Sequence, residues 1–220
     1  MKSIIAILLK EIKSEFRTRY AISTVLLFVL TTVTMIVFAT AGEQLNNQVI
    51  SGIFWIIMFF GAMTGLSKSF VSEEERGTYL LLQLNSKPTA VYFGKLIFNM
   101  ILSISLNVIA VLLVLTFFSQ LQIKNVGLFL LIMFLGSIAI AAATTIISAL
   151  IAKANSKNAL FPVLSFPILL PIIIIGIQVT AGSFDGVSFS KSQNDLQLIF
   201  AYTGIMTVSS YFLFDIVWKD

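Results

Sequence analysis

The sequence contains no cysteine and no histidine. The first absence excludes disulfides and thiol chemistry, and the second removes the commonest metal ligand and general base. No zinc-protease motif, complete phosphate-binding loop or pair of nucleophile and base stands out in the sequence. We therefore predict no catalytic residue, no metal site and no enzymatic activity in this chain itself.

Charge is also scarce, because only 11% of the 220 residues are charged while 58% are hydrophobic. A soluble domain has about 25% charged residues. The apolar residues form six stretches long enough to cross a bilayer, which takes about 20 residues of helix. These features predict an all-α, polytopic membrane protein that forms a single transmembrane domain over residues 1–220. The six predicted spans cover residues 22–41, 49–67, 96–118, 126–151, 160–180 and 196–217.

The basic residues lie outside the predicted spans and are distributed unequally between the two sides. Only Lys124 and Lys191 fall on one side. The other twelve fall on the opposite side: Lys2, Lys10, Lys13, Arg17, Arg19, Lys68, Arg76, Lys87, Lys95, Lys153, Lys157 and Lys219. Lysine and arginine accumulate in cytoplasmic loops, so both termini are predicted to be cytoplasmic. The net charge of +4 therefore reflects membrane topology and does not indicate nucleic-acid binding.

The first 20 residues combine charge with an apolar stripe. The stripe consists of Ile5, Leu8, Leu9, Ile12 and Phe16. Such a helix lies in the membrane interface. Residues 1–20 are therefore predicted to form an interfacial helix, and the alternative is a charged arm that only sets topology.

The predicted cytoplasmic loop between the second and third spans carries an acidic segment. Ser72 and Glu75 have the spacing of a capping box, which predicts a short helix that begins there with acids in its first turn. We interpret this coupling helix as a docking element for a soluble partner, and the alternative is an ordinary solvated loop. Its candidate residues are Glu73, Glu74, Glu75, Arg76, Gly77 and Thr78.

Polar residues and prolines inside the spans offer further candidates. Asn99, Ser103 and Asn107 recur every four residues and so share one helix face, either as a polar pathway or as interhelical hydrogen-bonding groups. Three prolines in the fifth span predict a bend or break, read either as a hinge or as a static kink. They are Pro162, Pro167 and Pro171. Asp215 is the only charge predicted inside a span, which argues against a charged ion pathway.

The loop also resembles the cytoplasmic segment of ABC-2-type permeases. The matching residues are Glu74-Glu75-Arg76-Gly77-Thr78, Leu80-Leu81-Leu82, Pro88 and Gly94-Lys95-Leu96. Six spans, cytoplasmic termini and an interfacial N-terminal helix resemble the same superfamily. Within it, the chain resembles the CcmB family, haem exporter protein B of cytochrome c maturation, in its size and in the Pro-Ile-Leu-Leu-Pro of the fifth span.

The resemblance implies a subunit of a complex in the bacterial inner membrane. A CcmA-like ATPase would bind ATP and dock under residues 73–84, with a CcmC-like haem-handling protein and a second copy of the chain as further partners. The complex would handle haem, but this chain, which has neither His nor Cys, is expected to hold no cofactor tightly. The alternatives are an ABC-2-type exporter of a lipid, drug or polysaccharide and a non-transporting membrane scaffold.

Overall fold

A computed structural model describes residues 2–40, 45–118, 121–154 and 157–219. In these ranges all regular secondary structure is helical. The helices are α1 (Lys2–Thr18), α2 (Tyr20–Thr40), α3 (Asn47–Leu66), α4 (Lys68–Glu75), α5 (Tyr79–Asn85), α6 (Pro88–Phe117), α7 (Val126–Ile151), α8 (Lys157–Asp185) and α9 (Phe189–Lys219).

Among the described residues, six helical segments are long and apolar enough to cross a membrane, which confirms the predicted number of spans. They are α2, α3 together with α4, α6, α7, α8 and α9. Residue 41, the predicted end of the first span, lies outside the described residues. Two helices begin well before the predicted spans, α6 at Pro88, eight residues early, and α9 at Phe189, seven residues early. Hydropathy marks where a helix leaves the apolar layer, and a helix can continue into water beyond that point.

Helix α7 is the central helix and packs against α3, α6, α8 and α9. Its buried residues include Gly136, Ser137 and the run Ala141–Ala143. Small side chains let neighbouring backbones approach closely, and this approach is a main source of helix association where lipid surrounds the bundle. The small residues of the fourth span therefore place α7 in the interior.

Trp55 on α3 fills a notch between α7 and α8. Its side chain is fully buried, and its indole Nε1 donates a hydrogen bond of 3.0 Å to Thr180 Oγ1. A Cβ placed on Gly176 would stand 1.9 Å from the indole, and one on Gly136 would stand 2.6 Å from it. The two glycines thus provide the space into which the largest side chain of the core fits.

The helices bring two separate sets of residues to the two ends of the bundle. At one end, here called the basic end, the Tyr79 ring lies 4.8 Å from that of Trp218, and Lys153 Nζ is 5.1 Å from Tyr79. At the opposite end, Asn47 Nδ2 donates a 2.6 Å hydrogen bond to Asp185 Oδ1. The α4–α5 segment and the end of α9 therefore meet at the basic end, as the alternation of six spans requires.

Helix α8 is continuous through all three of its prolines, so of the predicted bend or break the break is wrong, and the bend stays a prediction. A proline removes one N–H from the helical ladder and disturbs the carbonyls of the preceding turn. Three residues before Pro171, the Ile168 carbonyl accepts a 2.5 Å hydrogen bond from the Tyr202 hydroxyl of α9. The carbonyl that Pro171 itself leaves without a helical N–H donor is that of Pro167, and the Tyr202 bond joins α8 to α9 one residue further along. A hinge at Pro162, Pro167 and Pro171 stays a prediction.

Candidate coupling site at the basic end

The acidic segment ends a helix and does not begin one. Helix α4 starts at Lys68, directly after α3, and ends at Glu75, so Ser72 lies inside it and the predicted capping box is wrong. The helical path is not interrupted between α3 and α4, because Ser67 keeps a right-handed helical conformation. After the end of α4, Gly77 turns the chain with a φ of 65°, a left-handed conformation that favours glycine. Helix α5 begins two residues later, at Tyr79.

The three acids therefore stand at the negative end of the helix dipole, where carboxylates are unfavourable. The contacts of Glu73 compensate. Its carboxylate forms an ion pair with Lys10 and accepts a 2.5 Å hydrogen bond from Thr78 Oγ1. The side chain is 7% exposed. Glu73 and Thr78 thus hold the segment from inside, and of the predicted docking residues Glu75, Arg76 and Gly77 are exposed.

Lys95 is the second charged centre of the site. The sequence predicts that it lies in the loop before the third span, but it lies inside α6 with a side chain that is 0% exposed. Its Nζ is 2.6 Å from Glu11 Oε1, 2.6 Å from the Ser69 carbonyl and 3.3 Å from Glu73 Oε1. A buried ammonium needs such partners, because burial without them is strongly unfavourable. Lys95 therefore cross-links α1, α4 and α6.

Four charges form one cluster, which we call the buried ion-pair cluster: Lys10, Glu11, Glu73 and Lys95. Two lysines face two carboxylates, so the cluster carries no net charge. It joins residues that are as far apart in the chain as Glu11 and Lys95, and local sequence patterns therefore did not reveal it.

Helix α1 presents one face to the bundle and another outward. Ile7 and Glu11 are buried, and Ile7 touches the α6 backbone where Gly94 leaves room, since a Cβ there would lie 2.8 Å from Ile7. The apolar side chains of Ile5, Leu9 and Phe16 are 51%, 59% and 71% exposed. The outward face has the character of an interfacial helix, and its placement in a membrane stays a prediction.

Helix α5 exposes a leucine-rich surface at the basic end. Tyr79 is buried against Trp218, and Gln83 Nε2 donates a 2.5 Å hydrogen bond to the Trp218 carbonyl. Burial raises the pKa of the Tyr79 hydroxyl, and the nearby Glu74 carboxylate raises it further. Leu80, Leu81 and Leu84, in contrast, are 68%, 59% and 84% exposed. Because Tyr79 and Gln83 attach one side of α5 to the end of α9, the leucine side of α5 faces outward.

The polar residues of α6 bind α7. Asn99 Nδ2 donates a 2.8 Å hydrogen bond to Thr145 Oγ1, and Asn107 Nδ2 donates a 2.8 Å hydrogen bond to Ser137 Oγ. Ser103 Oγ is buried and has no hydrogen-bond partner in the described part of the chain. These contacts favour the interhelical interpretation of Asn99 and Asn107.

Within the described ranges, no group of three or more Asp or Glu residues is placed to hold a metal ion. The family model described as CcmB protein matches residues 2–213 of the chain. No curated protein matches it.

Proposed function

The chain belongs to the CcmB family, haem exporter protein B, and on this premise we propose that it is the permease subunit of an ATP-driven complex. The family makes it a multi-pass membrane component of haem export and cytochrome c maturation. The proposal adds that the chain is a single ABC-2-type transmembrane domain in the bacterial inner membrane, with both termini cytoplasmic. ATP hydrolysis would take place in a separate CcmA-like subunit.

The observation that carries the proposal is the surface of α5. Three leucines project outward from a short helix that Tyr79 and Gln83 attach to the end of α9. An exposed apolar surface rimmed by charge is typical of a protein contact. Beside it stand the exposed charges Glu75 and Arg76, with Glu74 half-buried. We assign this surface as the docking site for the CcmA-like ATPase.

The buried ion-pair cluster gives that docking site a connection to the bundle. Displacement of α4 would move Glu73, which is paired with Lys10 on α1 and lies 3.3 Å from Lys95 on α6. A soluble subunit that moves α5 would therefore displace two further helices. In this proposal Glu73 and Thr78 transmit motion, and the leucines of α5 make the contact.

Haem enters the proposal as the cargo of the complex. The sequence has no His or Cys, so this chain can supply neither of these two axial ligands to a haem iron. We propose that a CcmC-like partner handles haem, that a second copy of the chain completes the permease, and that ATP hydrolysis drives haem delivery or release of the haem-loaded periplasmic chaperone. Stoichiometric haem on the purified chain alone would contradict this division of roles.

The first test removes the gene and complements it with variants, and it reads covalent c-type cytochromes on a haem-stained gel. Deletion should abolish c-type bands while b-type haem proteins remain, and the wild-type gene should restore them. The double variant Leu81→Asp, Leu84→Asp should fail to restore them and should lose co-purification of the ATPase, because carboxylates oppose an apolar contact. Ser190→Asp, an exposed position at the opposite end, is the matched control and should behave as wild type.

The outcomes separate the two parts of the proposal. Unchanged c-type bands after deletion would remove the maturation role from this chain. Normal bands and normal co-purification with the double variant, at wild-type levels in the membrane, would show that α5 is not the docking surface.

A further inference from the structure

A cavity of about 270 Å³ opens at the basic end between α1, the start of α2, α4 and α6. This volume is close to the lower end of the range for small-molecule pockets, about 300–1,000 Å³. Apolar side chains, Phe98 and Leu102, line it together with polar ones, Ser69 and Asn99. The lining is therefore amphipathic, which suits a ligand that is itself polar at one end.

Asn99 supplies a buried acceptor that the chain does not use. Its side chain is 1% exposed, and its Nδ2 donates to Ser69 Oγ at 3.2 Å and to Thr145 Oγ1 at 2.8 Å. The Thr145 hydroxyl donates its own proton to the Ala141 carbonyl, so its oxygen is free to accept from the amide and sets the orientation of Asn99. Among the described residues, Asn99 Oδ1 has no donor. Buried acceptors are normally paired, so this oxygen calls for a ligand with an N–H or O–H group.

The rim of the cavity carries both signs of charge without internal pairing. Lys68, Glu75 and Arg76 line it, and none of them forms an ion pair within the described ranges. The other two carboxylates of the lining are already bound. Glu11 pairs with Lys95, and Glu15 Oε1 accepts hydrogen bonds from the first backbone N–H groups of α2, at 2.9 Å from Ala21 N.

The cavity also lies where lipid is expected. The exposed apolar face of α1 is Ile5, Leu9 and Phe16, and Tyr20 begins the first apolar helix. Amphipathic helices and tyrosines of this kind mark the membrane interface. A ligand at this depth can place a headgroup on the rim and its acyl chains along the bundle.

We propose that this cavity binds the zwitterionic headgroup of an ethanolamine phospholipid. Lys68 and Arg76 bind its phosphate, and Glu75 binds its ammonium group, which also donates to Asn99 Oδ1. A choline headgroup has no N–H to donate, and it is recognised by open aromatic faces. Of the two aromatic rings in the described lining, Tyr20 already has Lys68 Nζ 4.3 Å from its centroid, and Phe98 is half-buried. The cavity therefore discriminates between ethanolamine and choline lipids.

The test uses the purified full-length chain in detergent and does not depend on the proposed function. Phosphatidylethanolamine and phosphatidylcholine with identical acyl chains are added separately, and Tm and lipid retained in native mass spectrometry are measured. Ethanolamine lipid should raise Tm by several degrees and remain bound at one molecule per chain, because a ligand that binds only the folded state stabilises it. Choline lipid should do neither.

Variants locate the effect. Lys68→Gln and Glu75→Gln should each reduce the retained ethanolamine lipid at least tenfold, whereas Lys87→Gln, which removes an exposed charge at the same end outside the cavity, should retain it fully. Equal retention of both lipids, or equal retention by all three variants, would overturn the proposal in favour of non-selective annular lipid. Soluble phosphoethanolamine is the last arm. Stabilisation by it without any by the lipid would also overturn the lipid assignment.

Discussion

At the scale of single residues, the placement of charge is the main finding. Lys95 and Glu73 are separated by 22 positions, and both are charged groups with less than a tenth of the side chain exposed. Each alone would be costly to bury, and the cluster is tolerated because every charge in it faces an opposite one. Lys10, 45% exposed, is the member that water reaches most easily.

Lys95→Met should destabilise the protein by about 3–5 kcal/mol, because it leaves two buried carboxylates to share a half-exposed lysine. The measurement is the free energy of unfolding by SDS titration in mixed micelles. Lys10→Met is the matched control, and we expect a clearly smaller loss from it because water can partly replace an exposed ammonium. Equal and small losses from the two variants would show that the cluster contributes little to stability.

The α6–α7 hydrogen bonds are a second feature at this scale. Asn107 and Ser137 meet at 2.8 Å, and both are buried. Such interhelical bonds contribute about 0.6–2 kcal/mol in a membrane. Asn99 differs from Asn107, since it combines the same type of bond with an unused acceptor beside a cavity.

At the scale of elements, the packing of α3, α7 and α8 depends on one large residue and two small ones. Trp55 is held by shape and by its bond to Thr180, and Gly176 faces the indole at a distance that no Cβ permits. The remaining glycines differ widely, and Gly204 on α9 has no atom within 4 Å of the position of a Cβ.

Gly176→Ala should destabilise the protein by about 1–3 kcal/mol or more, because the added methyl group forces Trp55 to move in a closely packed core. Gly204→Ala makes the same chemical change in open space and should be neutral or stabilising by up to about 1 kcal/mol through helix propensity. Thermal unfolding of the two purified variants gives the comparison. A Gly176→Ala protein as stable as Gly204→Ala would mean that the indole is not fixed in this notch.

The α4–α5 segment is held to the bundle on one side only. Its inner side is held by Glu73, Thr78 and Tyr79, and its outer side is formed by leucines and charges. In place of the single predicted coupling helix, the chain forms a helix end, a turn at Gly77 and a second short helix. Of these, α5 carries the surface that the proposed function requires.

At the scale of the whole molecule, the two ends of the bundle are chemically distinct. The basic end holds the buried ion-pair cluster, the cavity of about 270 Å³ and α5. At the opposite end, Asn125 donates hydrogen bonds from its backbone N–H to the Ser183 carbonyl of α8 and from Nδ2 to the Val187 carbonyl. The positive-inside rule predicts that the basic end faces the cytoplasm.

Single cysteines test this orientation directly, because the natural chain has none. Lys13→Cys and Leu84→Cys lie at exposed positions of the basic end, and Gln122→Cys and Ser190→Cys lie at exposed positions of the opposite end. In spheroplasts, a membrane-impermeant maleimide should label only the second pair, and permeabilisation should add the first pair. Labelling of Leu84→Cys before permeabilisation would reverse the topology.

The sequence by itself was sufficient for the number of spans, their approximate positions and the family. These properties depend on local composition, since a run of about 20 apolar residues has few alternatives to a membrane helix. The span at residues 126–151 coincides with α7, where polar loops lie directly on both sides. The assignment of twelve basic residues to one side of the membrane and two to the other likewise needs only their positions between the predicted spans.

Only the tertiary structure decided where charges and helix ends lie. The capping-box spacing of Ser72 and Glu75 is a local signal, but α3 continues into α4 because no residue between them stops the helix. The sequence predicts Lys95 to be a loop residue. In the fold, Glu11, which is 84 positions away in the chain, lies 2.6 Å from its Nζ. Burial of a charge depends on partners contributed by other helices, and their arrival is a property of packing that no local window of sequence contains.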